Sequence, residues 1–353
     1  MRLDAAVMNR SLMLVIGSIL ISSPLLAAAP PPPATVGYLA TFKGLDESIA
    51  RTDVSAFTHF NIAFANPGAD GAFVTGNRLA CMNDETGEPY SLSELRKTVR
   101  RLQAKGAKVL VSVAGGVIPG CSGDWKALLA PAQRERTVTN LLSLSDELGL
   151  DGIDVDIEWA LLTDLDRAGD YVPFVAALSA AMKPRGLLLT CATASNPGGM
   201  IPAASIPYFD LVNVMSYDAI GPSWGEAGTE HSTYASAARD LDLWLGLGVR
   251  PERLVLGVPF YGYGFGGAKP NWSYREIVAT EGGKAAESDL IGVACPGCRY
   301  ITYNSPSTIE RKARLAGQKA GGVMVWELSQ DTVTHDLTRA IRAGLDAPRA
   351  RDD

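Results

Sequence analysis

Histidine and clustered positive charge are both scarce in this 353-residue chain. The only histidines are His59, His231 and His335, and none stands in a spacing typical of metal ligands, such as the HExxH motif. We therefore expect neither a metal ion nor another cofactor. The formal net charge is −6 without a long basic run, which argues against a nucleic-acid partner because neutralising phosphates requires clustered lysine and arginine.

Long apolar runs are also lacking. Arg2 and Arg10 precede an apolar run over residues 12–21, and small residues follow it, a pattern that predicts a secretory signal peptide over residues 1–29. The run is too short to span a membrane, and no later segment reaches about 18 apolar residues. We expect a secreted or periplasmic protein, with no membrane contact in its mature form, that begins with a stiff proline-rich spacer over residues 30–34.

Five cysteines allow at most two disulfides and leave one thiol over. Cys191 lies inside the apolar run LLLTCATA, which predicts a small buried residue and makes it the odd one. The sequence CPGC, from Cys295 to Cys298, lacks the strand-to-helix context of a thioredoxin. A local structural disulfide is therefore a better interpretation than a redox pair.

Eight short apolar runs of strand length follow the spacer. They begin at Val36, Phe57, Ala107, Gly152, Leu187, Asp210, Arg253 and Gly321. Several are nearly continuous in valine, isoleucine and leucine, which is typical of parallel strands covered on both faces. Helical stretches separate most of them, over residues 92–104, 132–148, 171–182, 233–247, 308–319 and 332–345. This alternation predicts an α/β fold, a (β/α)8 TIM barrel.

The segment between the seventh and eighth runs is longer than one helix requires. It predicts a small insertion at about residues 266–303, followed by the seventh helix. We expect a single domain over residues 35–348 that contains this insertion between strands 7 and 8. In barrels of this kind the chemistry lies where strands end and the loops to the helices begin.

The segment DGIDVDIEW, residues 151–159, places four acids within eight residues. Asp154, Asp156 and Glu158 alternate with aliphatic residues, so the acids share one face of a strand. We expect that face to point into the barrel with Glu158 at its mouth. Like charge and partial burial should raise the pKa of Glu158, which is what a general acid requires.

Two other interpretations of the acids are weaker. A calcium loop needs glycine at its sixth position, where Trp159 stands, and flexible polar spacers. A buried structural network of carboxyl groups accounts for Asp151 and Asp154 but not for Glu158 at the strand end.

Five motifs resemble those of the glycoside hydrolase family 18 chitinases. DGIDVDIE matches the family's DxxDxDxE signature, SVAGG at residues 112–116 resembles SxGG, and NVMSYD at residues 213–218 resembles MxYD. GVPFYGYGF at residues 257–265 and GGVMVWELSQD at residues 321–331 resemble its strands 7 and 8. The resemblance covers nearly the whole chain after the spacer. It implies retaining hydrolysis of chitin or related N-acetylglucosamine glycans, with the substrate's acetamido group as the nucleophile.

The resemblance also implies residue roles. Glu158 would be the general acid and later the base, while Asp156 would hold and polarise the acetamido N–H. Asp154 would share a proton with Asp156, and Ser112 would hydrogen-bond into that pair. Tyr217 would donate its hydroxyl to the acetamido oxygen.

Further residues are implied to bind the substrate. Met215 would line the pocket, Asp218 would meet a sugar hydroxyl, and Trp326 would form the apolar floor under the reacting sugar. Tyr38 on strand 1 is a candidate for the same pocket. Three more tryptophans at or after strand ends are candidates for stacking on an extended glycan: Trp125, Trp159 and Trp224. Trp244 lies mid-helix, which favours core packing.

The chain also departs from the family pattern. Ala114 stands where the family has the first glycine of SxGG, and Ala160 stands where it often has proline. The insertion is shorter than the α+β domain of many family 18 chitinases, which favours an open, endo-acting groove. We expect a monomer whose partner is chitin or another oligosaccharide that contains N-acetylglucosamine.

Two alternative functions stay open at the level of sequence. A lectin of the same fold would bind chitin without cutting it, although such lectins typically lack the acid at the position of Glu158. An endo-β-N-acetylglucosaminidase acting on N-glycan cores, or a hydrolase of a cell-wall glycan, would use the same acetamido chemistry.

Overall fold

The computed structural model describes residues 32–347, and its centre is a closed barrel of parallel strands. The barrel strands are β1 (Ala34–Ala40), β2 (His59–Ala65), β3 (Lys108–Gly115), β4 (Gly152–Ile157), β5 (Leu188–Thr193), β6 (Leu211–Met215), β7 (Leu254–Pro259) and β8 (Gly322–Trp326). Each pairs with the next in the chain, and β8 pairs with β1 to close the barrel. The predicted (β/α)8 barrel is therefore confirmed.

The N-terminal predictions fall mostly outside this range. The signal peptide predicted over residues 1–29 lies outside the described residues. Ala34, which the sequence assigns to the proline-rich spacer, is the first residue of β1 and donates its backbone N–H to Gly321.

Helices cover the outside of the barrel. The α-helices in residues 32–347 are α1 (Leu45–Ala50), α2 (Leu92–Gln103), α3 (Trp125–Leu129), α4 (Arg134–Leu148), α5 (Trp159–Ala168), α6 (Tyr171–Met182), α7 (Tyr234–Gly246), α8 (Tyr274–Glu281), α9 (Lys284–Glu287), α10 (Pro306–Lys319) and α11 (Asp336–Leu345). Short 3-10 helices lie at Thr41–Lys43, Val54–Ala56, Lys183–Arg185, Ala203–Tyr208, Pro251–Arg253 and Leu328–Gln330. All six predicted helical stretches are present, as α2, α4, α6, α7, α10 and α11.

The alternation of β4 explains how the barrel separates two environments. Ile153, Val155 and Ile157 are buried in the large apolar cluster between strands and helices. Asp154 and Asp156, on the opposite face, are buried inside the barrel. Because successive side chains of a strand point to opposite faces, the sequence of β4 buries aliphatic residues outward and acids inward.

The insertion between β7 and β8 begins earlier than predicted. Its antiparallel sheet has the order Asn271–Ser273, Tyr261–Phe265, Tyr300–Thr302, Leu290–Gly292. The first of its strands in the chain starts at Tyr261 rather than near residue 266, only two residues after β7 ends. The sequence GVPFYGYGF is therefore two strands that belong to different sheets, separated at Phe260.

A second small sheet lies between β2 and α2, where the sequence predicts no strand. It consists of Val74–Thr75, Arg78–Asn83 and Pro89–Ser91. A disulfide from Cys81 to Cys121 ties it to the loop after β3, and a second disulfide joins Cys295 to Cys298 in the insertion. Cys191 is a free, buried thiol, as predicted.

Among the described residues, no helix combines the length and the apolar character needed to cross a membrane. In the same part of the chain, histidine, cysteine and acidic side chains form no group of three or more that could hold a metal ion.

Candidate active site

Asp154 is fully buried inside the barrel, and its carboxylate oxygens accept hydrogen bonds from three hydroxyl groups. They are Tyr38 Oη on β1 at 2.6 Å, Ser112 Oγ on β3 at 2.7 Å and Thr190 Oγ1 on β5 at 2.5 Å. Burial raises the pKa of Asp154, and these hydrogen bonds oppose the rise because they stabilise the carboxylate. The hydrogen bond expected from Ser112 into the acid pair is therefore present.

Asp156 lies on the same face, between Asp154 and Glu158. Burial raises its pKa well above the ordinary range, and the charges of Glu158 and Asp154 raise it further. The Oδ1 atom of Asp156 is buried without a hydrogen-bond partner among the described residues. Burial and the neighbouring charges therefore favour the protonated form of Asp156, and its Oδ1 atom is available to accept a hydrogen bond.

Glu158 follows β4 and is the N-cap residue of α5, with an extended backbone at φ −123° and ψ 162°. Burial raises its pKa to about 7, and the charge of Asp218 adds to the rise. A carboxyl group with this pKa carries its proton at mildly acidic pH and can give it up there, as a general acid must. Gly116 makes room for it, because a Cβ atom at that position would lie 2.7 Å from Glu158 Oε1.

Tyr217 presents a hydroxyl group that is nearly free of partners. Among the described residues its hydrogen-bond partner is the sulfur of Met324, at 3.8 Å. Burial raises the pKa of Tyr217 well above its ordinary value, and the nearby carboxylates, Asp218 first, raise it further. The hydroxyl therefore keeps its proton and is available as a donor.

Asp218 is held beside Tyr217 by neutral groups from the insertion and the loop after β6. Tyr261 Oη donates to its Oδ1 atom, and His231 Nδ1 lies 3.7 Å from the same atom. Burial lowers the pKa of His231, which favours the neutral ring. The backbone carbonyl of Asp218 accepts the indole N–H of Trp224 at 3.0 Å.

Trp326, at the end of β8, forms an aromatic floor together with Phe64 at the end of β2. Their rings are stacked, with centroids 5.5 Å apart and planes 18° apart. Gly115 packs against Phe64, since a Cβ atom added at Gly115 would lie 2.7 Å from the Phe64 ring. The floor is thus continuous from β8 across β2 to the strand that carries Ser112.

Two further residues that the sequence predicts to bind substrate, Met215 and Tyr38, differ in their position relative to the site. Met215 is half-buried at the end of β6. Tyr38 is only 1% exposed and lies beneath Trp326, with ring centroids 5.4 Å apart. This burial corrects its predicted place in the pocket, because its hydroxyl acts on Asp154 from behind the groove surface.

Two of the three tryptophans expected to stack on sugars are exposed at the mouth. Trp159 is 38% exposed and packs over Gly199, and Trp224 is 44% exposed with its edge toward Tyr263. The expectation for Trp125 is wrong, because this residue is 2% exposed and its indole N–H donates to Asn66. Trp244 is buried in the core, as predicted.

A cavity of about 210 Å³ lies at the ends of β1, β2 and β3. Its lining includes Phe42, Phe64, Met82, Ala114 and Val117. It lies next to the Trp326 floor, because Phe64 belongs to both, but it does not contain the acids. Ala114, the residue in place of the family's glycine, adopts a left-handed backbone with φ 73°.

Sequence reasoning missed three residues that shape the site. Thr190 donates to Asp154, Phe64 extends the aromatic floor, and Tyr261 holds Asp218. Phe64 carries a signal that could have identified it, namely its position at the end of a predicted strand. Thr190 and Tyr261 carry no comparable local signal, since their contacts lie 36 and 43 residues away in the chain.

Comparison with known proteins places the chain in a family. Residues 34–331 match the model of glycosyl hydrolases family 18. The class V chitinase of Arabidopsis thaliana is 26% identical, with 88% of this chain and 89% of that protein covered. The probable chitinase 10 of Drosophila melanogaster is also 26% identical, but the match covers only 12% of its length and 64% of this chain.

Solved structures agree with the fold. The family 18 chitinase ChiB of Flavobacterium johnsoniae is 29% identical with a TM-score of 0.74, covering 91% of this chain and 99% of that one. A chitinase from Bacteroides thetaiotaomicron, 24% identical, has the same fold, with a TM-score of 0.73 and coverage of 90% and 99%. The chain therefore belongs to glycosyl hydrolases family 18, and it is a glycosidase of the same structural type as these chitinases.

Proposed function

We propose that this protein hydrolyses the β-1,4 links between N-acetylglucosamine residues in chitin or its oligosaccharides. The observation that carries the proposal is the row of Asp154, Asp156 and Glu158 beside the free hydroxyl of Tyr217. Similarity to chitinases over most of the chain supports the same substrate class.

In the first step, Glu158 protonates the glycosidic oxygen as its bond to the anomeric carbon breaks. The acetamido carbonyl oxygen of the same sugar forms the new bond to that carbon, which gives a cyclic oxazolinium ion and releases the leaving sugar as an alcohol. The hydroxyl of Tyr217 orients the carbonyl oxygen. The free Oδ1 atom of Asp156 accepts the acetamido N–H, which makes the carbonyl oxygen more nucleophilic.

In the second step, water attacks the anomeric carbon and Glu158, now a carboxylate, takes its proton. The bond to the acetamido oxygen breaks and the acetamide is restored. Two displacements at one carbon retain its configuration. Behind Glu158, three hydroxyl donors stabilise the carboxylate form of Asp154, and negative charge there favours the oxazolinium ion.

The groove favours internal cleavage of a long chain. Trp326 ends β8, and Trp159, after β4, and Trp224, after β6, are both exposed to solvent. The insertion contributes only a small four-stranded sheet with two helices. We therefore expect endo-acting cleavage, with products of several lengths from a chitin hexamer.

The decisive variant is Glu158→Gln, which keeps the shape of the side chain and removes its transferable proton. We expect kcat on a fluorogenic chitobiose glycoside to fall roughly 1000-fold, with binding of chitin oligomers retained. Glu287→Gln, at an exposed position of helix α9, is the matched control and should behave as wild type. Activity within about tenfold of wild type in Glu158→Gln would contradict the acid assignment.

The substrate class is tested by the products. Wild-type protein is incubated with chitin oligomers, a high-mannose glycoprotein and cellulose oligomers, and the products are identified by mass. We expect cleavage of the chitin oligomers and none of the cellulose oligomers, which lack the acetamido nucleophile. Release of N-glycans instead would identify an endo-β-N-acetylglucosaminidase, and binding of chitin without cleavage would identify a lectin.

Export from the cytoplasm is part of the proposal. The predicted signal peptide supports it, and so do the disulfides at Cys81–Cys121 and Cys295–Cys298, because disulfides persist in oxidising compartments. N-terminal sequencing of the protein recovered outside the cytoplasm tests it. A chain that keeps its first 29 residues there would contradict it.

A further inference from the structure

Lys312 is a buried cation that the proposed chemistry does not use. It lies on α10, is 0% exposed, and its Nζ atom donates to neutral oxygens. These are Asn304 Oδ1 at 2.7 Å, Ser232 Oγ at 2.7 Å and the Ser232 carbonyl at 3.1 Å. An ammonium group has three N–H donors, so this arrangement satisfies all of them. Burying a charge is costly unless its hydrogen bonds are satisfied.

A short hydrogen-bond path leads from Lys312 to the active site. Ser232 Oγ, which accepts from the ammonium group, donates at 2.6 Å to the carbonyl of Ser216. Ser216 immediately precedes Tyr217 and Asp218, the residues that meet the acetamido group and the acid. The hydroxyl of Ser216 is also fixed, because it donates to Asp240 on α7 at 2.5 Å.

The charge of Lys312 is itself sensitive to pH. Burial lowers its pKa to about 7, while the carboxyl groups of Asp289, Asp240 and Glu230 around it favour the charged form. At a pH below this value the ammonium group donates a hydrogen bond to each of the three oxygens. Above it the neutral amine has only two N–H donors and a lone pair, so one of the three oxygens loses its donor.

We propose that the ammonium group of Lys312 is a positioning group for the active site. Through Ser232 it holds the carbonyl of Ser216. It thereby fixes where the Tyr217 hydroxyl and the Asp218 carboxylate meet the substrate. This inference rests on the proposed function and deepens it, because it assigns control of the catalytic rate to a residue outside the groove. Displacement of a reacting group by about 1 Å can cost 100-fold in rate.

The test is Lys312→Met, which keeps the length of the side chain and removes the charge and its donors. At pH 5.5, with the fluorogenic chitobiose glycoside, we expect kcat to fall about 30-fold and KM to change less than about threefold, because the transition state depends on the placement of Tyr217. Lys319→Met, on the same helix but exposed and bonded to Asp242, is the control and should match wild type.

The pH dependence separates positioning from a purely structural role. Wild-type protein loses the ammonium group above pH 7, whereas Lys312→Met lacks it at every pH. The ratio of wild-type to variant kcat should therefore shrink from about 30 at pH 5.5 to below about 5 at pH 8.5. A ratio within about twofold of unity at pH 5.5, or one that is equal at both pH values, overturns the proposal.

A second variant covers the case in which Lys312→Met does not fold. Ser232→Ala keeps the contact of the ammonium group with Asn304 and removes the hydroxyl that reaches Ser216. We expect a kcat loss of about tenfold in a protein whose thermal unfolding remains cooperative. A folded Ser232→Ala protein with wild-type kcat overturns the proposal. If the wild type itself cleaves no acetamido glycoside, the proposed function fails and this inference fails with it.

Discussion

The charge of Asp218 offers a direct way to test how the site tunes Glu158. Burial is the largest cause of the raised pKa of Glu158, and the charge of Asp218 is the second. Asp218→Asn keeps the size and shape of the side chain and removes this charge. We therefore expect the pKa of Glu158 to fall, and the alkaline decline of kcat/KM to begin at a lower pH.

The structure bounds the size of this effect. An ordinary glutamate has a pKa of 4.5, and the surroundings raise that of Glu158 to about 7. The difference corresponds to about 3 kcal/mol in favour of the protonated form. Because burial remains in the variant, the midpoint of the decline should lie between 4.5 and 7. Far above the midpoint, kcat/KM falls tenfold for each pH unit by which the midpoint is lowered.

The assay is the pH profile of kcat/KM, which reports the pKa of the free enzyme. The fluorogenic chitobiose glycoside is measured from pH 4 to 9 for wild type, Asp218→Asn and the control Asp164→Asn, on α5. The control should keep the midpoint near 7. Any loss of sugar contact at Asp218 lowers the whole curve without moving its midpoint. An unchanged midpoint in Asp218→Asn would refute the electrostatic reasoning.

Two further predictions concern packing around the site. In Gly116→Ala the new methyl group would lie against Glu158 Oε1. We therefore expect kcat to fall at least about tenfold, with little change in the urea midpoint of unfolding. A wild-type kcat would show that the carboxyl group has room to move. Trp125→Phe removes the indole N–H that donates to Asn66 Oδ1. We therefore expect the free energy of unfolding, measured by urea denaturation, to fall by about 1–3 kcal/mol. The value of kcat/KM should stay within about twofold of wild type. A large loss of activity without a loss of stability would instead favour sugar stacking at Trp125.

The barrel could be predicted from sequence because its strands carry a strong local signal. The apolar runs are covered on both faces, and helices of more than two turns separate most of them. The helix Tyr171–Met182 has the predicted bounds, since Gly169 and Asp170 precede it and Lys183 and Pro184 follow it. The acids of β4 could be placed on one face for the same reason, since a period of two follows from strand geometry.

The features that could not be predicted from the sequence are those without a regular alternation of apolar and polar residues. In the sheet between β2 and α2, two strands have only two and three residues, too few for alternation to be visible. The third, Arg78–Asn83, does not alternate strictly between buried and exposed residues. Trp125 follows a strand in sequence, yet its ring turns into the core to meet Asn66, 59 residues earlier. Tyr38 reaches Asp154 over 116 residues. Such contacts follow from closure of the barrel and the register between strands.

The three hydroxyl groups on Asp154 also make catalysis a property of the finished fold. They come from β1, β3 and β5, while Trp326 comes from β8 at the far end of the chain. A chain that lacks β8, whether still being synthesised or cut by a protease, cannot place Trp326 beside the acids around Asp154. During refolding, activity should therefore recover later than the circular-dichroism signal of the helices. The activity of the enzyme would then report the last step of folding.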